Sequence, residues 1–258
     1  MLTHRTANIA LFVLLAAALL VNSFLWPLPW WVFVLLPLPY VAALVWGACN
    51  VASGFYMPVV CKAETDEKVI AITFDDGPLS QHTPAILDIL QKEQAPAAFF
   101  CIGRHIAGQE QLLRRMEAEG HVIGNHSFTH HFWFDMFGSE KMLAELRQVD
   151  DAVEKATGKR PRLFRPPYGV TNPNLRRAVQ RGNYTAVGWN IRSLDTVAKS
   201  REELLQRIKP AVQPGAVLLL HDSMDVTLEA LPELISFLKG EGYRIERIDK
   251  LLNIPAYA

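Results

Sequence analysis

A chain of 258 residues with 26 basic and 26 acidic side chains carries no formal net charge at pH 7. That balance offers no long-range field for steering onto a polyanion, so nucleic-acid binding is excluded as a class. The length fits one barrel-sized domain, or a smaller domain with an appendage.

The charges are unevenly placed, with no Asp, Glu, Lys or Arg between Arg5 and Lys62. Within that stretch the apolar run 7–26 is long enough, at about 1.5 Å per residue, to cross a hydrocarbon layer of about 30 Å. A turn written Trp26-Pro27-Leu28-Pro29 leads into a second run, 30–47. Trp26, Trp30, Trp31 and Trp46 sit near the run ends, where indole rings favour a membrane interface. The pattern predicts an N-terminal α-helical membrane hairpin within residues 1–62, followed by a globular domain over 63–258. A signal peptide fits poorly, because the first run is too long and continues into a second. Pro37 and Pro39 predict a kink in the second run. Arg5 favours a cytoplasmic N-terminus; two full spans then return the globular domain to the cytoplasmic face of the cell membrane, whereas a single span places it outside. Cys49, Cys61 and Cys101 have no short paired spacing, which argues against a disulfide framework or a thiolate zinc site and leaves buried, unreactive thiols as the expectation.

Beyond Lys62 short β-rich apolar runs alternate with helical stretches. Strands are predicted at 69–74, 97–102, 122–125, 162–165, 185–189, 216–221 and 243–245. Thr83-Pro84 announces a helix over 85–94. Ser139 opens one over 140–157 that Gly158 closes, and helical spacing recurs at 204–208 and at 231–238. Seven strands alternating with helices predict an α/β fold, a closed or nearly closed barrel of parallel strands, with an open doubly wound sheet as the alternative.

Both architectures put functional groups at the carboxyl ends of strands, and five of the seven predicted ends carry them. The first runs into Asp75-Asp76-Gly77-Pro78, whose adjacent acids should find different partners. The third ends in Asn125 followed by His126 and His130, four apart and able to share one metal ion from one face of a helical turn. His121 and His131 are bystanders in this reading. A carboxylate from Asp76 or Asp75 would complete a three-ligand site with a position open for water, the arrangement of catalytic zinc. The remaining acid is placed to take a proton from that water. The fourth strand ends in Arg165-Pro166-Pro167-Tyr168-Gly169, where the arginine offers a planar fork to a carboxylate. The fifth ends at Trp189 with Asp195 in its loop, and the sixth runs through Leu219 into His221-Asp222, a candidate general acid.

As a set, the segments 73–78, 126–130, 165–169, 189–195 and 219–222 resemble the five motifs of the polysaccharide deacetylase family, also called the NodB-homology domain or carbohydrate esterase family four. The resemblance covers roughly residues 66–250. It implies a distorted (β/α) barrel of seven parallel strands, and a divalent ion, zinc or cobalt for example, held by Asp76, His126 and His130. It implies that Asp75 is the general base oriented by Arg165, and that His221 is the acid tuned by Asp195. The Tyr168 amide would help hold the oxyanion, with Pro166, Trp189 and Leu219 against the substrate. The implied reaction is removal of N-acetyl groups from N-acetylglucosamine-type residues of an envelope glycan or oligosaccharide. One departure is Thr196, where many members carry Trp after the fourth-motif Asp. Deacylation of a lipid-linked amino sugar and hydrolysis of O-acetyl esters of a polysaccharide are the alternatives. A catalytically silent glycan-binding scaffold would require the loss of a ligand or of the base, and none is lost. No protein partner is expected.

Overall fold

The computed structural model describes residues 2–258. Helix α1 (His4–Phe24) starts in a capping box, in which the Thr3 hydroxyl accepts from Thr6 N and the Thr6 hydroxyl accepts from Thr3 N. After it the turn is closed by Asn22 Oδ1, which accepts from Leu28 N at 2.8 Å. Helices α2 (Trp30–Leu35) and α3 (Leu38–Cys49) form the second run, broken at Leu36-Pro37 where the kink was expected. Proline has no N–H to give and crowds the preceding turn. The Tyr40 hydroxyl in α3 donates to Asn8 Oδ1 in α1 at 2.9 Å, so the polar groups of the pair satisfy each other. The segments His4–Phe24 and Trp30–Cys49 are each long and apolar enough to cross a membrane. Only 6% of each apolar window is buried within the chain, so these are not core helices of the globular part.

Residues 50–62 then lace the hairpin to the globular part. Phe55, Tyr56 and Met57 are buried, Val60 bridges to Val187, and Lys62 bridges to Ala216.

The remainder alternates strands with outer helices. In chain order they are β1 (Val69–Asp75), α4 (Thr83–Lys92), β2 (Ala97–Cys101), α5 (Glu110–Ala118), β3 (Val122–Asn125), α6 (Ser139–Thr157), β4 (Leu163–Phe164) and α7 (Pro173–Gly182). There follow β5 (Thr185–Ala186), β6 (Ile191–Arg192), α8 (Arg201–Ile208), β7 (Ala216–His221), α9 (Asp225–Gly240), β8 (Arg244–Ile245) and α10 (Ile248–Leu251). All the ladders are parallel, in the order β5-β4-β3-β2-β1-β7-β6, with β8 joining the start of β1. The sheet curls into a half-barrel.

Eight strands are found where seven were expected. The predicted run 185–189 stops at Ala186, because Val187 N still bonds Phe164 O whereas Gly188 N turns to Val60 O and Asn190 N to Val217 O. A run that meets three different neighbours in four residues makes no continuous ladder, and β6 forms just beyond its far end. The helices α5, α7 and α10 were also not predicted; α5 and α7 have charged stretches with few apolar positions, and α10 is a single turn. Neither Thr83 nor Ser139 is a cap: His82 and Gly138 hold the cap positions without side-chain bonds. Thr83 instead receives Leu79 N and donates to the buried carboxylate of Asp222 at 2.7 Å.

Strand β1 is buried along its whole length, as a strand covered on both faces must be. Ile70, Ile72 and Phe74 face the helices and share a core with Leu87 and Leu90 of α4 and Leu234 and Leu238 of α9. Ala71 faces the interior of the curl with Ala98, Phe100, Leu163 and Val217. The small Ala71 and Ala98 leave room there, and Phe100 forms a floor under the polar side chains that follow higher in the barrel. Cys61 and Cys101 are buried and burial raises both thiols, but Cys49 at the end of α3 is exposed, against expectation.

Candidate active site

The alternation that points Ala71 inward also points Thr73 and Asp75 inward, so β1 becomes steadily more polar toward its carboxyl end. Arg165, at the end of β4, has no exposed surface and reaches into the curl to meet them. Its Nη1 donates to Asp75 Oδ1 and to Thr73 Oγ1, both at 2.7 Å. Its Nη2 donates to Gly188 O at 2.9 Å and its Nε to Val187 O at 3.3 Å. The guanidinium lies 4.0 Å from the Phe100 ring centre. Every arm of the fork is therefore used, which is what a fully buried arginine requires. Burial raises Asp75 above the usual carboxylate range, and the charge and hydrogen bond of Arg165 pull it back. Burial works on Arg165 in the opposite sense, lowering it against the pull of Asp75.

Asp76 turns the other way. Its backbone is left-handed, at φ 80°, which swings its carboxylate out of line with that of Asp75. The Asp76 Oδ1 atom lies 3.8 Å from His126 Nε2 and 3.8 Å from His130 Nε2, and the three ligand atoms fall within 4.8 Å of one another. His126 Nδ1 is hydrogen-bonded to Arg165 O at 2.8 Å, which leaves Nε2 facing the cluster. Burial, with His130 beside it, lowers His126 to about 3, so the ring keeps the neutral form that offers a lone pair. An aspartate oxygen and two imidazole nitrogens converging in this way fit a zinc-type divalent ion.

The histidine pair does not sit on a helical turn as anticipated. The loop from 126 to 130 is irregular, with Ser127 and His130 at positive φ. It is held by Asn125 Oδ1 on Ser127 N, by Ser127 Oγ on His130 N, and by Glu145 Oε2 on the amides of Phe128 and Thr129. His131 points away and receives Trp133 N, while His121 is buried lower down and receives Ala97 N.

The opposite wall is His221, the last residue of β7. Its Nδ1 pairs with Asp195 Oδ1 at 2.7 Å, and its backbone N–H donates to Asp195 Oδ2 at 2.6 Å. The Thr227 hydroxyl in the first turn of α9 donates to the same Oδ2 at 2.7 Å. Burial would lower His221, but the hydrogen bond and charge of Asp195 prevail and push it up to about 9. Burial would likewise raise Asp195, and its bonds from His221 and Thr227 overcome this and lower it.

A cavity of about 240 Å3 opens between the two walls. Asp75, Asp76, His126, His130 and His221 line it, together with Pro166, Tyr168, Trp189 and Leu219. Arg165 and Asp195 stand behind the lining and act on it through Asp75 and His221. Every site residue singled out in the sequence is thus in or directly behind one cavity. The lining also includes Arg192, Leu194 and Thr196, of which only Thr196 had been noted, as the departure after Asp195. Arg192 and Leu194 escaped because β6 itself went unpredicted. Thr73, Glu145 and Thr227 were assigned no role because each acts through a contact distant in sequence. The left-handed backbones of Asp76, Ser127, His130, Tyr168 and Leu194 gather at this cavity. Each costs on the order of 1 kcal/mol, a concentration of strain found where geometry serves a site.

Comparison with known proteins agrees with this geometry. The family model for polysaccharide deacetylase matches residues 62–187. The peptidoglycan-N-acetylmuramic acid deacetylase PdaA of Bacillus subtilis is 36% identical over 192 residues, which span 73% of this chain and 73% of that protein. A chitooligosaccharide deacetylase of Bradyrhizobium is 33% identical over 199 residues, covering 70% of this chain and 90% of the relative. The solved structure of a peptidoglycan N-acetylglucosamine deacetylase superposes with a TM-score of 0.74 at 25% identity, covering 78% of this chain and 95% of that one. With all five motifs assembled around one cavity, the chain belongs to the polysaccharide deacetylase family, hydrolases that act on carbon–nitrogen bonds other than peptide bonds.

Proposed function

We propose that this site removes the N-acetyl group from N-acetylglucosamine-type residues of an envelope glycan or oligosaccharide. The observation that carries this reading is the convergence of Asp76, His126 and His130 in one cavity, with Asp75 on one side and His221 on the other. The names of the relatives vary in sugar, N-acetylmuramic acid, N-acetylglucosamine or chitooligosaccharide, but all are deacetylases.

Asp76, His126 and His130 would hold a divalent ion, zinc by the chemistry of its donors, in a site with room for water. When bound, such an ion makes water acidic enough to be a nucleophile near neutral pH and polarises the amide carbonyl. Asp75 takes the proton of the attacking water with Oδ2, since Arg165 occupies Oδ1. A carboxylate raised by burial is a stronger base than a solvated one. The Tyr168 backbone N–H, on a residue of left-handed backbone at the cavity, is assigned to the developing oxyanion. His221 carries the proton that the leaving amine needs, and Asp195 holds that proton on the ring at neutral pH. Pro166, Trp189 and Leu219 form the wall against the acetyl group.

Helix α1 and the α2–α3 run are assigned as a membrane hairpin within residues 1–62, anchoring a catalytic domain over 63–258; Arg5 favours the cytoplasmic face. The test is acetate release from N-acetylglucosamine oligomers by the full chain in detergent, with chelator and with zinc or cobalt restored. Release should require the metal and vanish in Asp75→Asn and in His126→Ala. Release that survives chelation or Asp75→Asn would overturn the mechanism.

A further inference from the structure

Outside the hairpin, six large apolar side chains are exposed: Phe132, Trp133, Met136, Tyr168, Leu194 and Val197. All six lie on segments that follow β3, β4 and β6, beyond the carboxyl ends of the strands, and two of them, Tyr168 and Leu194, line the cavity. Met136 is 71% exposed, Phe132 67% and Trp133 58%, values unusual for such residues unless something covers them. Three of the six are contiguous. The Phe132 ring lies 4.8 Å from Trp133 and 6.2 Å from Tyr168, and Tyr168 stacks edge-on to His130 at 4.7 Å.

The loop that carries Tyr168 is bonded to the end of the hairpin. Thr171 N donates to Ala48 O at 3.1 Å and the Thr171 hydroxyl to Gly47 O at 3.2 Å, both in the last turn of α3. Val51, just beyond, packs near Gly169 and Gly188. The other end of the hairpin is fastened at the same place, where His4 N donates to Phe55 O at 2.9 Å. Both ends of the hairpin therefore meet the globular part beside one loop of the active-site rim. Tyr168 is three residues from Thr171, a separation of at most about 10 Å of chain. Asn172 extends the link to the neighbouring loop by donating to Asp135 O at 2.6 Å.

We propose that the mouth of the cavity lies against a lipid bilayer surface, its apolar rim seated among the headgroups, and that the enzyme takes its amino sugar from a lipid carrier in that surface. The inference rests on the deacetylase and membrane-hairpin readings above. A bilayer is the occupant because the same chain supplies two apolar helices of spanning length that end at this rim, and aromatic side chains favour that interface. A rim seated on the bilayer has its cavity facing the place where a lipid-linked sugar is displayed.

The test uses the full chain in phospholipid vesicles. Met136→Cys and, as a control at the other end of the barrel, Glu241→Cys are each made in a Cys49→Ser background and carry an environment-sensitive fluorophore. Lipids bearing a nitroxide near the headgroup should quench the label at 136 at least about fivefold more than that at 241. Equal quenching overturns the proposal. In the same vesicles the double variant Phe132→Ser, Trp133→Ser should lose at least about fivefold in acetate release from N-acetylglucosaminyl polyprenyl diphosphate while a soluble chitooligosaccharide is hydrolysed as before. Equal loss on both substrates, or no loss, overturns it. Preferential quenching at 136 without hydrolysis of either substrate supports the docking surface and defeats the deacetylase reading instead.

Discussion

The hairpin and the globular part treat their polar groups in opposite ways. In the hairpin the few polar groups stay on the outside and are satisfied within the chain, Asn8 by Tyr40 and Asn22 by Leu28 N, beside the exposed Phe12, Phe24, Trp26 and Trp30. The globular part buries its aliphatic residues and yet keeps Asp75, Arg165, Asp195 and Asp222 almost wholly from solvent at the ends of its strands and in the loops that follow them. The first arrangement expects an apolar surrounding. The second tolerates Asp75 and Asp195 as buried charges because each has a partner fixed by a distant part of the chain, whereas Asp222, held only by the Thr83 hydroxyl, is pushed up to about 7 by burial. The comparison separates polar groups that are only satisfied at a surface from groups that are buried because they are used.

The largest effect should come from unpairing a buried charge. Arg165→Ala leaves Asp75 without a counter-charge and strands Thr73, Val187 O and Gly188 O, at a cost of about 3–5 kcal/mol. Thermal unfolding followed by near-ultraviolet circular dichroism should show a large drop in midpoint, and activity should disappear. Arg165→Lys recovers little of either, because an ammonium lacks the planar fork that meets four acceptors. Parental stability in Arg165→Ala would mean the buried pair is not what holds the top of the barrel.

Gly77→Ala comes next. A Cβ at Gly77 would lie 2.0 Å from Asp222 Oδ2, a fully buried carboxylate already tied to Thr83. Overpacking of this kind costs about 1–3 kcal/mol, and here it also disturbs the turn that aims Asp75 and Asp76. Gly138→Ala, where an added methyl meets nothing within 4 Å, is the matched control and should leave stability and activity nearly unchanged.

A smaller and more specific change is expected in pH dependence. His221 stands at about 9 because Asp195 favours its charged form. A raised folded value means that the protonated ring contributes stability below its ordinary value near 6.5, and that this is lost as pH rises through about 9. For catalysis the same sign gives an alkaline limb near pH 9, where the acid is consumed. Asp195→Asn removes the charge, burial then prevails, and the limb of kcat should move down to or below pH 6.5 with far less change in KM. A limb that stays near 9 would assign it to another group.

How much of this was readable beforehand depended on distance along the chain. Asp75 with Asp76, and His126 with His130, are neighbours in sequence, and strand period set the two acids on opposite sides without saying which one turns inward. Arg165 and Asp195 were placed through the family motifs; their actual partners, across 90 and 26 residues, are tertiary facts. Thr227, Glu145 and Thr73 look like ordinary polar residues until folding brings them beside Asp195, the His130 loop and Arg165. The same limit explains the missed β6. Its residues Ile191-Arg192 form a strand only because β7 offers an open edge there. The apolar runs of the hairpin needed no tertiary information at all, and their bounds and break were close to those observed.

The smallest effect probes the hairpin directly. If α1 and α3 stand in lipid, Asn8 cannot exchange its tyrosine partner for water, yet interhelical bonds in membranes are worth only about 0.6 kcal/mol on average, since a separated helix finds other partners. Tyr40→Phe, Asn8→Ala and the double variant form a cycle whose coupling, measured by steric-trap unfolding of the full chain in bicelles, should be close to that value. The matching cycle on Asp195 and Thr227 in the globular part should give a larger coupling, because there the acceptor is a charged carboxylate, for which a bond is worth about 1.5–3 kcal/mol. Couplings of equal size would erase the contrast between the two halves, for it would mean that a neutral pair in the hairpin and a charged one beside the active site are held against comparable alternatives.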